Sequence, residues 1–522
     1  MATAFSDTTA GKIFNFIIGR EKKKHSHGDP TREVFETIVF VVVLVLMLKL
    51  FVAEAFVIPT GSMATTLLGD NVKVTCPECG YTFPVTAAVQ QGTRAVPNSA
   101  ACQNCGHYFH PTNARDWNSG DRVLVAKYEY HIRPPQRFDV PVFKYPKEPY
   151  NDGEKTAMNY IKRLCGLPGE TIAIYKGDLY VTNTLTYPGQ PVPESPLDLW
   201  KHDNEHDFTY FRNKEAVALF ESGGFEPIRK APNQILTVRR LVFDLDQAPK
   251  SLTGVAKTRW HPSPDADGAG WTMQDKGFRH EGTQTGWVRY HHVEPGWEKG
   301  SAPRQPAPIT DHLGYNFQPN SPPVWVPDLI VDCTAEFASA SDKVVLELTK
   351  AGDKFQAEFD NGKCRLFRIP SAAADQRELL GERDTKITKS GRFDLRFANV
   401  DSRLTIWVND RPLDGAPVDY PPPSRDSFEP TTSDVHEPAR IGATGNVGIS
   451  NVSLWRDVYY TCNEAGDCRV QTYYVQPGHY FCLGDNSASS ADGRSWGLVP
   501  ERLMLGRAVV VYWPPSRIGV IK

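Results

Sequence analysis

Residues 159–170 read NYIKRLCGLPGE, and the interpretation of the chain starts from this stretch. Tyr160, Ile161 and Leu164 give it a β-like character, which Lys162 interrupts. A lysine on such a strand can simply point to solvent. A buried lysine would instead have a lowered pKa. Its neutral amine could then take a proton from a serine near neutral pH without help from a histidine.

A candidate serine lies in residues 56–63, which read FVIPTGSM. Pro59 stops a helix, and Gly61 allows a close backbone approach beside Ser62. Taken alone, Ser62 has the pattern of a turn residue. A third segment, residues 484–500, reads GDNSASSADGRSWGLVP and by itself predicts a polar loop with an Asp/Arg pair.

Residues 38–48 form an unbroken apolar run, IVFVVVLVLML. Extended to Val57, the window has 20 residues with two interruptions, Lys49 and Glu54, which is enough for a helix to cross about 30 Å of hydrocarbon. A soluble core helix or a signal-peptide core are alternatives. Basic residues that favour a cytoplasmic position precede the run: Arg20, Lys22, Lys23, Lys24 and Arg32. We expect an uncleaved single transmembrane helix over residues 34–57, with residues 1–33 inside the cell and the rest outside.

Together these segments resemble bacterial type I signal peptidases, membrane-bound serine peptidases that remove signal peptides from exported proteins. The resemblance rests on five stretches, found in the family's order. They are IPTGSM (58–63), GDRVLVAKY (120–128), FDVPVFKYP (138–146), YIKRLCGLPGE (160–170) and GDNSASSADGRSWGLVP (484–500), with GRAVVVYWP (506–514) closing the chain. It covers less than half of the sequence and implies a mainly β catalytic fold built from residues 58–72, 112–184 and 457–522.

The resemblance assigns roles by position. Ser62 would be the nucleophile and Lys162 the general base of a Ser/Lys dyad that forms an acyl-enzyme. Thr60 stands where the family often has a serine whose hydroxyl supports the oxyanion hole. Ser490 matches a serine that hydrogen-bonds the lysine. Asp492 and Arg494 match a pair that supports the loop, and Gly493 departs from the serine common there.

The same mapping predicts the substrate. Phe56, Ile58 and Ile161 would line shallow apolar pockets for small side chains before the cut, although each could equally be an ordinary core residue. The expected partners are secretory preproteins and the lipid bilayer, and the expected place is the inner membrane of a bacterium. No cofactor is expected for catalysis.

A first insertion, residues 73–111, contains two Cys-x2-Cys pairs in a C-x2-C-x22-C-x2-C spacing. The four cysteines are Cys76, Cys79, Cys102 and Cys105. Four thiolates satisfy a tetrahedral zinc ion, and the glycine after each pair permits the tight turn. We therefore expect a structural zinc ribbon, with His107 and His110 as surface residues. Two disulfides within the pairs are the alternative, because thiols outside the cytoplasm tend to oxidise.

A second insertion, residues 185–456, has short alternating stretches and little helical periodicity. Residues 403–410 (RLTIWVND) predict a strand entering a hairpin turn. The region resembles a concanavalin/laminin-G-like β-sandwich, a resemblance that gives no ligand. Cys462 and Cys468 could form a small disulfide, Cys165 and Cys482 are expected as buried thiols, and Cys333 and Cys364 could pair or stay buried.

Composition is consistent with several folded domains. The 522 residues carry 58 basic and 61 acidic side chains, a net charge of −3, so nothing points to nucleic acid as a partner. The main hypothesis is a signal-peptide endopeptidase. A membrane-anchored lectin-like binding protein that keeps the peptidase fold as a scaffold is the alternative, and a soluble self-cleaving Ser/Lys protease is a third, opposed by the apolar run.

Overall fold

A computed structural model describes most of the chain, in ten ranges. They are residues 30–90, 93–112, 115–146, 158–185, 213–300, 306–317, 324–415, 417–423, 428–461 and 470–522. The chain divides into two compact units, Met1–Glu54 and Ala55–Lys522. Strands dominate the described residues, so the predicted mainly β class is confirmed.

The first unit contains the α-helix Pro30–Met47, which continues as a π-helical turn, Leu48–Val52. Proline fits the first helical position because its missing N–H would have no intrahelical partner there. The apolar side chains of residues 38–48 are all exposed, by 45% to 58%. Within the described ranges, no helix combines the length and the apolar character needed to cross a membrane.

The helix expected over residues 34–57 is wrong at its carboxyl end. Ala53–Val57 is a β-strand, and it lies beside Arg122–Ala126 in a sheet. The backbone of these residues is therefore hydrogen-bonded to a neighbouring strand instead of within a helix.

Three small sheets form around the segments that carry the candidate site. The first contains Ala53–Val57, Arg122–Ala126, Met504–Trp513, Pro141–Lys144, Asn159–Ile161 and Gly519–Val520. The second contains Arg163–Gly166, His479–Leu483 and Val499–Pro500. The third contains Glu226–Pro227, Asp178–Thr182, Thr171–Tyr175 and Gln471–Tyr474. Each sheet thus combines strands from the first 185 residues with strands from the last 55 residues of the chain.

The cysteine-containing segment forms a three-stranded sheet and two short hairpins. The sheet order is Thr82–Thr86, Asp70–Thr75 and Arg115–Ser119, and the hairpins are Ala88–Gln90 with Thr93–Ala95 and Ala100–Ala101 with Tyr108–Phe109. Its apolar core includes the four cysteines and also Val293 and Trp297 from the second insertion.

The second insertion forms a fourteen-stranded sheet around one large apolar core. Its strands are Arg240–Asp244, Trp260–Pro262, Trp271–Gln274, Gly277–Tyr290, Leu329–Phe337, Lys343–Lys350, Asp353–Asp360, Lys363–Ile369, Glu378–Asp384, Gly391–Val400, Arg403–Val408, Arg411–Pro412, Val418–Asp419 and Ala439–Arg456. Ala439–Arg456 is central, because it pairs with four other strands. The predicted hairpin turn is confirmed: Asn409 and Asp410 both have positive φ, +51° and +59°, as a two-residue hairpin turn requires.

The sheets do not divide at residue 185. Glu226–Pro227 pairs with Asp178–Thr182, and Phe220 and Phe225 pack against Ala173 and Tyr180. The described helices in the second unit are all short: Glu129–Ile132, Lys214–Glu221, Pro232–Val238, Gly254–Thr258, Thr432–His436 and Gly493–Trp496. The division of the chain into a catalytic fold, a ribbon and a sandwich stays a prediction.

Candidate active site

Ser62 and Lys162, one hundred residues apart, meet in the second unit. Lys162 Nζ donates a hydrogen bond to Ser62 Oγ over 2.6 Å. Ser62 lies in the 3₁₀ turn Gly61–Met63. Lys162 is the single residue between Asn159–Ile161 and Arg163–Gly166, where the chain passes from one sheet to the next. Both side chains are buried, and Lys162 is only 2% exposed.

The surroundings of Lys162 favour a neutral amine. Burial lowers its pKa to about 8, and the more distant carboxylates of Asp492 and Asp485 only partly offset that effect. Among the described residues, no carboxylate lies within 4 Å of Nζ. Its other hydrogen bond goes to the carbonyl of Ile161 over 3.2 Å. A ring face is nearby, since Nζ lies 5.5 Å from the centre of the Tyr160 ring.

The loop after strand His479–Leu483 holds the backbone of the serine turn. The Asn486 N–H donates to the Ser62 carbonyl over 3.0 Å, and Asn486 Nδ2 donates to the Gly61 carbonyl over 2.9 Å. Only glycine fits at position 484, because a Cβ there would lie 2.2 Å from Ser490 Oγ and 2.6 Å from the Ser62 carbonyl oxygen.

Ser490 is near the serine turn, but the hydrogen bond expected from it to Lys162 is absent. Its Oγ is buried and has no hydrogen-bond partner within the described part of the chain. The physical reason is that Lys162 Nζ is directed instead at Ser62 Oγ and the Ile161 carbonyl.

Asp492 and Arg494 form a buried ion pair at 2.7 Å, with their side chains 0% and 1% exposed. Asp492 Oδ2 also accepts the Gly484 N–H over 3.0 Å, and Arg494 Nη1 donates to Ser487 Oγ over 2.7 Å. The pair therefore ties both ends of the loop that contacts Ser62.

The three residues expected to line substrate pockets share one apolar cluster. Ile58 is buried at its centre with Met63, and Phe56 and Ile161 are partly buried against it. Thr60, the expected oxyanion donor, is exposed, has extended backbone angles and immediately precedes the serine turn. Gly69 packs against the backbone of Thr60, so a side chain at position 69 would not fit.

The four cysteines of the first insertion converge. Cys76 Sγ lies 3.7 Å from Cys105 Sγ, and Cys79 Sγ lies 3.6 Å from Cys102 Sγ. All four are free thiols, not disulfides. Zinc–sulfur bonds of about 2.3 Å in a tetrahedron separate sulfurs by roughly 3.8 Å, so the donor set fits a zinc ion. Gly80 and Gly106 have φ of +76° and +74°, as the two matching turns require.

One histidine of this segment differs from expectation. His107 is buried, not on the surface, because its ring packs 4.6 Å from the ring of Trp297 and its Nδ1 contacts the Trp297 carbonyl. His110 is exposed, as expected. The thiols of Cys165 and Cys482 are buried and free, and so are those of Cys333 and Cys364, which do not pair. Cys462 and Cys468 lie outside the described residues.

Comparisons with known proteins match parts of the chain. Residues 110–222 and 402–513 match the family model described as signal peptidase, peptidase S26. Two segments of the chain match the signal peptidase family. The S26 segments include Lys162, Ser490, Asp492 and Arg494, whereas Ser62 lies before them.

Two curated relatives of the S26 segments are named signal peptidase I. The chain is 33% identical to the Pseudomonas aeruginosa protein over 28% of this chain and 36% of that protein. It is 29% identical to the Leptolyngbya laminosa protein over 32% of this chain and 54% of that protein. The chain thus spans less than two thirds of either relative. A solved carbohydrate binding module from Bacillus subtilis is 11% identical with a TM-score of 0.24, covering 38% of this chain and 94% of that chain, which does not establish a shared fold.

Several residues around the S26 segments were not predicted. Arg163 and Asp485 form a buried bidentate ion pair, with both N···O distances 2.7 Å. Arg240, Tyr315 and Asn316, from the second insertion, contact the serine turn or the loop beside it. An arginine directly after the lysine and an aspartate in the loop were visible signals for the first pair. The sequence has no local signal for the other three.

Proposed function

We propose that this chain is a membrane-anchored serine endopeptidase that removes amino-terminal signal peptides from exported preproteins after small-x-small sites. The observation that carries the proposal is the 2.6 Å hydrogen bond between buried Lys162 Nζ and Ser62 Oγ. The match of two segments to the signal peptidase family supports the same reaction class.

In this mechanism the neutral Lys162 amine takes the proton of Ser62 Oγ as the oxygen attacks the scissile carbonyl. The resulting ammonium gives that proton to the leaving amine as the peptide bond breaks. This leaves an acyl-enzyme ester on Ser62. Lys162 then removes a proton from water, which attacks the ester and releases the new carboxylate. Finally, the ammonium returns the proton to Ser62 Oγ.

The tetrahedral intermediate needs donors for its oxyanion. The Ser62 backbone N–H and the Thr60 hydroxyl are the proposed donors. Thr60 is exposed and directly precedes the turn Gly61–Met63 that contains Ser62. Removal of one such donor typically costs about 3–4 kcal/mol in the transition state. Thr60→Val should therefore lower kcat and leave the fold unchanged.

Substrate access follows from the apolar surroundings. The cluster of Phe56, Ile58 and Ile161 would accept small side chains before the cut. The exposed apolar run of residues 38–48 ends 14 residues before Ser62, and we assign it to anchoring in the inner membrane of a bacterium. The amino terminus would face the cytoplasm and the site the outside. The exposure of the whole run supports this role.

Cleavage of a preprotein with an Ala-x-Ala site by the purified full chain in detergent tests the reaction. Ser62→Ala and Lys162→Ala should each reduce the rate by at least about 10⁴-fold. Lys73→Ala, at an exposed lysine, should cleave like wild type. Activity that survives either dyad substitution contradicts the mechanism. An inactive wild type would favour the binding-protein alternative.

Alkaline extraction of membranes tests the anchor. The full chain should remain in the membrane pellet. Val42→Arg with Val45→Arg should release it, because arginines at the centre of a span cost about 2.5–3.5 kcal/mol each. Val42→Leu with Val45→Leu is the matched control. Release of the wild-type chain would remove the anchor from the proposal.

The cysteine cluster is proposed as a closed structural zinc site held by Cys76, Cys79, Cys102 and Cys105. A bound ion would link two turns that are otherwise joined by short hairpins, and it would take no part in catalysis. Metal analysis of the purified chain should find one zinc per chain. Cys76→Ser with Cys102→Ser should lose it, whereas Cys333→Ser should keep it. Mass spectra with both Cys-x2-Cys pairs oxidised would refute the site.

A further inference from the structure

Arg240 opens the strand Arg240–Asp244 of the second insertion and is buried, 4% exposed. Its guanidinium donates hydrogen bonds to main-chain carbonyls of the insertion and of the catalytic segments. Nη1 bonds the Val238 carbonyl over 2.7 Å, within the insertion. Nη2 bonds the carbonyls of Ala64 over 3.0 Å and Asp485 over 3.2 Å. One nitrogen of the insertion therefore joins two catalytic segments.

The carbonyls of Ala64 and Asp485 belong to residues that are close to the dyad along the chain or through an ion pair. Ala64 is two residues after Ser62. Asp485 holds Arg163, the neighbour of Lys162, by its two carboxylate oxygens. The path from Ser62 along two peptide bonds to Ala64, then by hydrogen bonds through Arg240 and Asp485 to Arg163, and along one peptide bond to Lys162 thus connects both members of the dyad.

The bonding of Arg240 is unusual for a buried cation. Among the described residues, no carboxylate lies within 4 Å of its side-chain nitrogens, and burial lowers its pKa. A buried charge without an ion-pair partner is costly. Uncharged side chains of similar size would fill the same space. A role for its several directed donors explains why arginine stands there.

A second contact of the insertion reaches the same loop. Asn316 Oδ1 accepts a hydrogen bond from Asn486 Nδ2 over 3.3 Å, and Asn316 Nδ2 donates to Ser489 Oγ. Asn486 in turn bonds the Ser62 and Gly61 carbonyls. The ring of Tyr315 lies against Gly61, where a Cβ would come within 2.3 Å of Tyr315 Cε1.

On one side of the loop, close packing is incomplete. Residues 485–489 form one wall of a cavity of about 440 Å³, which Arg240 and Asn316 also line. On that side the loop faces open space, and the hydrogen bonds from Arg240 and Asn316 are the contacts that hold it there, in addition to those from the catalytic segments.

We infer that Arg240 is a positioning residue, through which the second insertion sets the distance and direction of Ser62 relative to Lys162. Asn316 supports the same loop from its other end. The inference rests on the proposed peptidase function and gives the insertion a part in it. The dyad is then complete only when the insertion is folded against the catalytic segments.

Kinetics of Arg240→Met in the full chain tests the inference. Active sites are counted from the acyl-enzyme burst, so that misfolded protein does not enter the rate. We expect turnover per active site to fall at least about tenfold, with KM within about twofold of wild type, because a small displacement of reacting atoms acts on kcat. Arg240→Lys, which keeps a donor, should recover part of the loss.

Arg239→Met is the matched control. Its side chain bonds Asp332 over 2.9 Å and lies over the Trp455 ring, all within the insertion. Its turnover per active site should equal that of wild type. Equal turnover in Arg240→Met and wild type would overturn the inference and leave the peptidase function intact. A wild type without cleavage would instead refute the proposed function.

If Arg240→Met yields no burst at all, Asn316→Ala decides. This substitution removes the contacts to Asn486 and Ser489 without changing any residue of the catalytic segments. We expect turnover per active site about threefold below wild type, with an unchanged burst amplitude. Wild-type turnover in Asn316→Ala would then overturn the inference.

Discussion

Lys162 and Lys230 are both buried, 2% and 4% exposed, yet their surroundings act on the ammonium in opposite directions. Burial lowers the pKa of Lys162 to about 8, and its nearest partner is the neutral hydroxyl of Ser62. Burial opposes the charge of Lys230 too. There, however, Asp401 and Asp457 at 2.8 and 2.7 Å outweigh it and raise the pKa above its ordinary value.

The ion pairs around Lys230 continue into a larger network of buried charged side chains. Lys350, also fully buried, contacts Asp328 and lies 3.6 Å from Asp178, at the start of the strand Asp178–Thr182. The Asp401 N–H donates to Asp328 Oδ2 over 2.7 Å. The contrast teaches that burial alone does not decide the pKa of a lysine in this chain. Lys162 differs from Lys230 in having no carboxylate within 4 Å among the described residues.

Lys230→Met gives the largest expected effect on stability. It leaves the carboxylates of Asp401 and Asp457 buried without their shared cation, which typically costs about 3–5 kcal/mol. Denaturant unfolding in detergent at pH 7 measures the loss. Lys354→Met, in a partly exposed pair with Glu437, should cost no more than about 1 kcal/mol. Equal losses in both variants would contradict the contrast.

Lys162→Met should change stability in the opposite direction. A lysine whose pKa is lowered from 10.5 to about 8 carries a cost of roughly 3 kcal/mol when it is charged in the folded state. That cost is full below pH 8 and disappears above about pH 10.5, where the lysine is neutral in both states. After loss of the bond to Ser62, we expect a gain of about 2 kcal/mol in unfolding free energy at pH 7.

The measurement is the same denaturant unfolding, repeated at pH 7 and pH 10.5. The stabilisation by Lys162→Met should shrink at the higher pH, and catalysis should be lost at both. A variant less stable than wild type at pH 7 would show that Lys162 is held as an ordinary structural cation.

The two lysines also differ in how far the sequence could predict them. Lys162 and Ser62 both stand in short stretches that resemble signal peptidase segments, and it was this resemblance, not the local pattern of either residue, that selected both. Lys230 lies between unremarkable residues. Its partners Asp401 and Asp457 are 171 and 227 residues away, and sequence patterns do not reveal such contacts.

The same distinction applies to the fold. Alternating stretches and the Asn409–Asp410 turn predicted strands correctly, because those signals are local. The apolar character of Ala53–Val57 suggested a helix, and tertiary pairing made it a strand. His107 was expected on the surface because no sequence pattern near it indicates the contact with Trp297, whose ring packs against it. Arg240 and Asn316 belong to the same class of unpredictable long-range contacts.

The pH dependence of cleavage sharpens the catalytic side of the comparison. Only neutral Lys162 can act as the base, so kcat/KM should fall about tenfold for each pH unit below pH 8. The substrate should be a short peptide without titratable groups near the cut. A rate that stays flat down to about pH 5 would contradict the role of Lys162 as base.

Asp457→Asn should have the smallest effect and tests the structural side. Burial, with Asp401 and Asp328, raises the pKa of Asp457 to about 6 despite Lys230. The folded state then binds this proton more tightly than the unfolded one, so the stability it contributes is full below about pH 4 and is lost as pH rises through 6. Asparagine cannot titrate, and the variant should lack this decline.

At pH 7 the unfolding free energy of Asp457→Asn should lie within about 1 kcal/mol of wild type, because the substitution removes a poorly tolerated charge together with one acceptor of Lys230. A loss as large as that of Lys230→Met would mean that Asp457 carries a fully stabilised charge. The network would then be two ordinary ion pairs. Both carboxylates would then stabilise the Lys230 ammonium equally. A small loss would instead assign that stabilisation mainly to Asp401, whose carboxylate accepts hydrogen bonds from both the Nζ and the backbone N–H of Lys230.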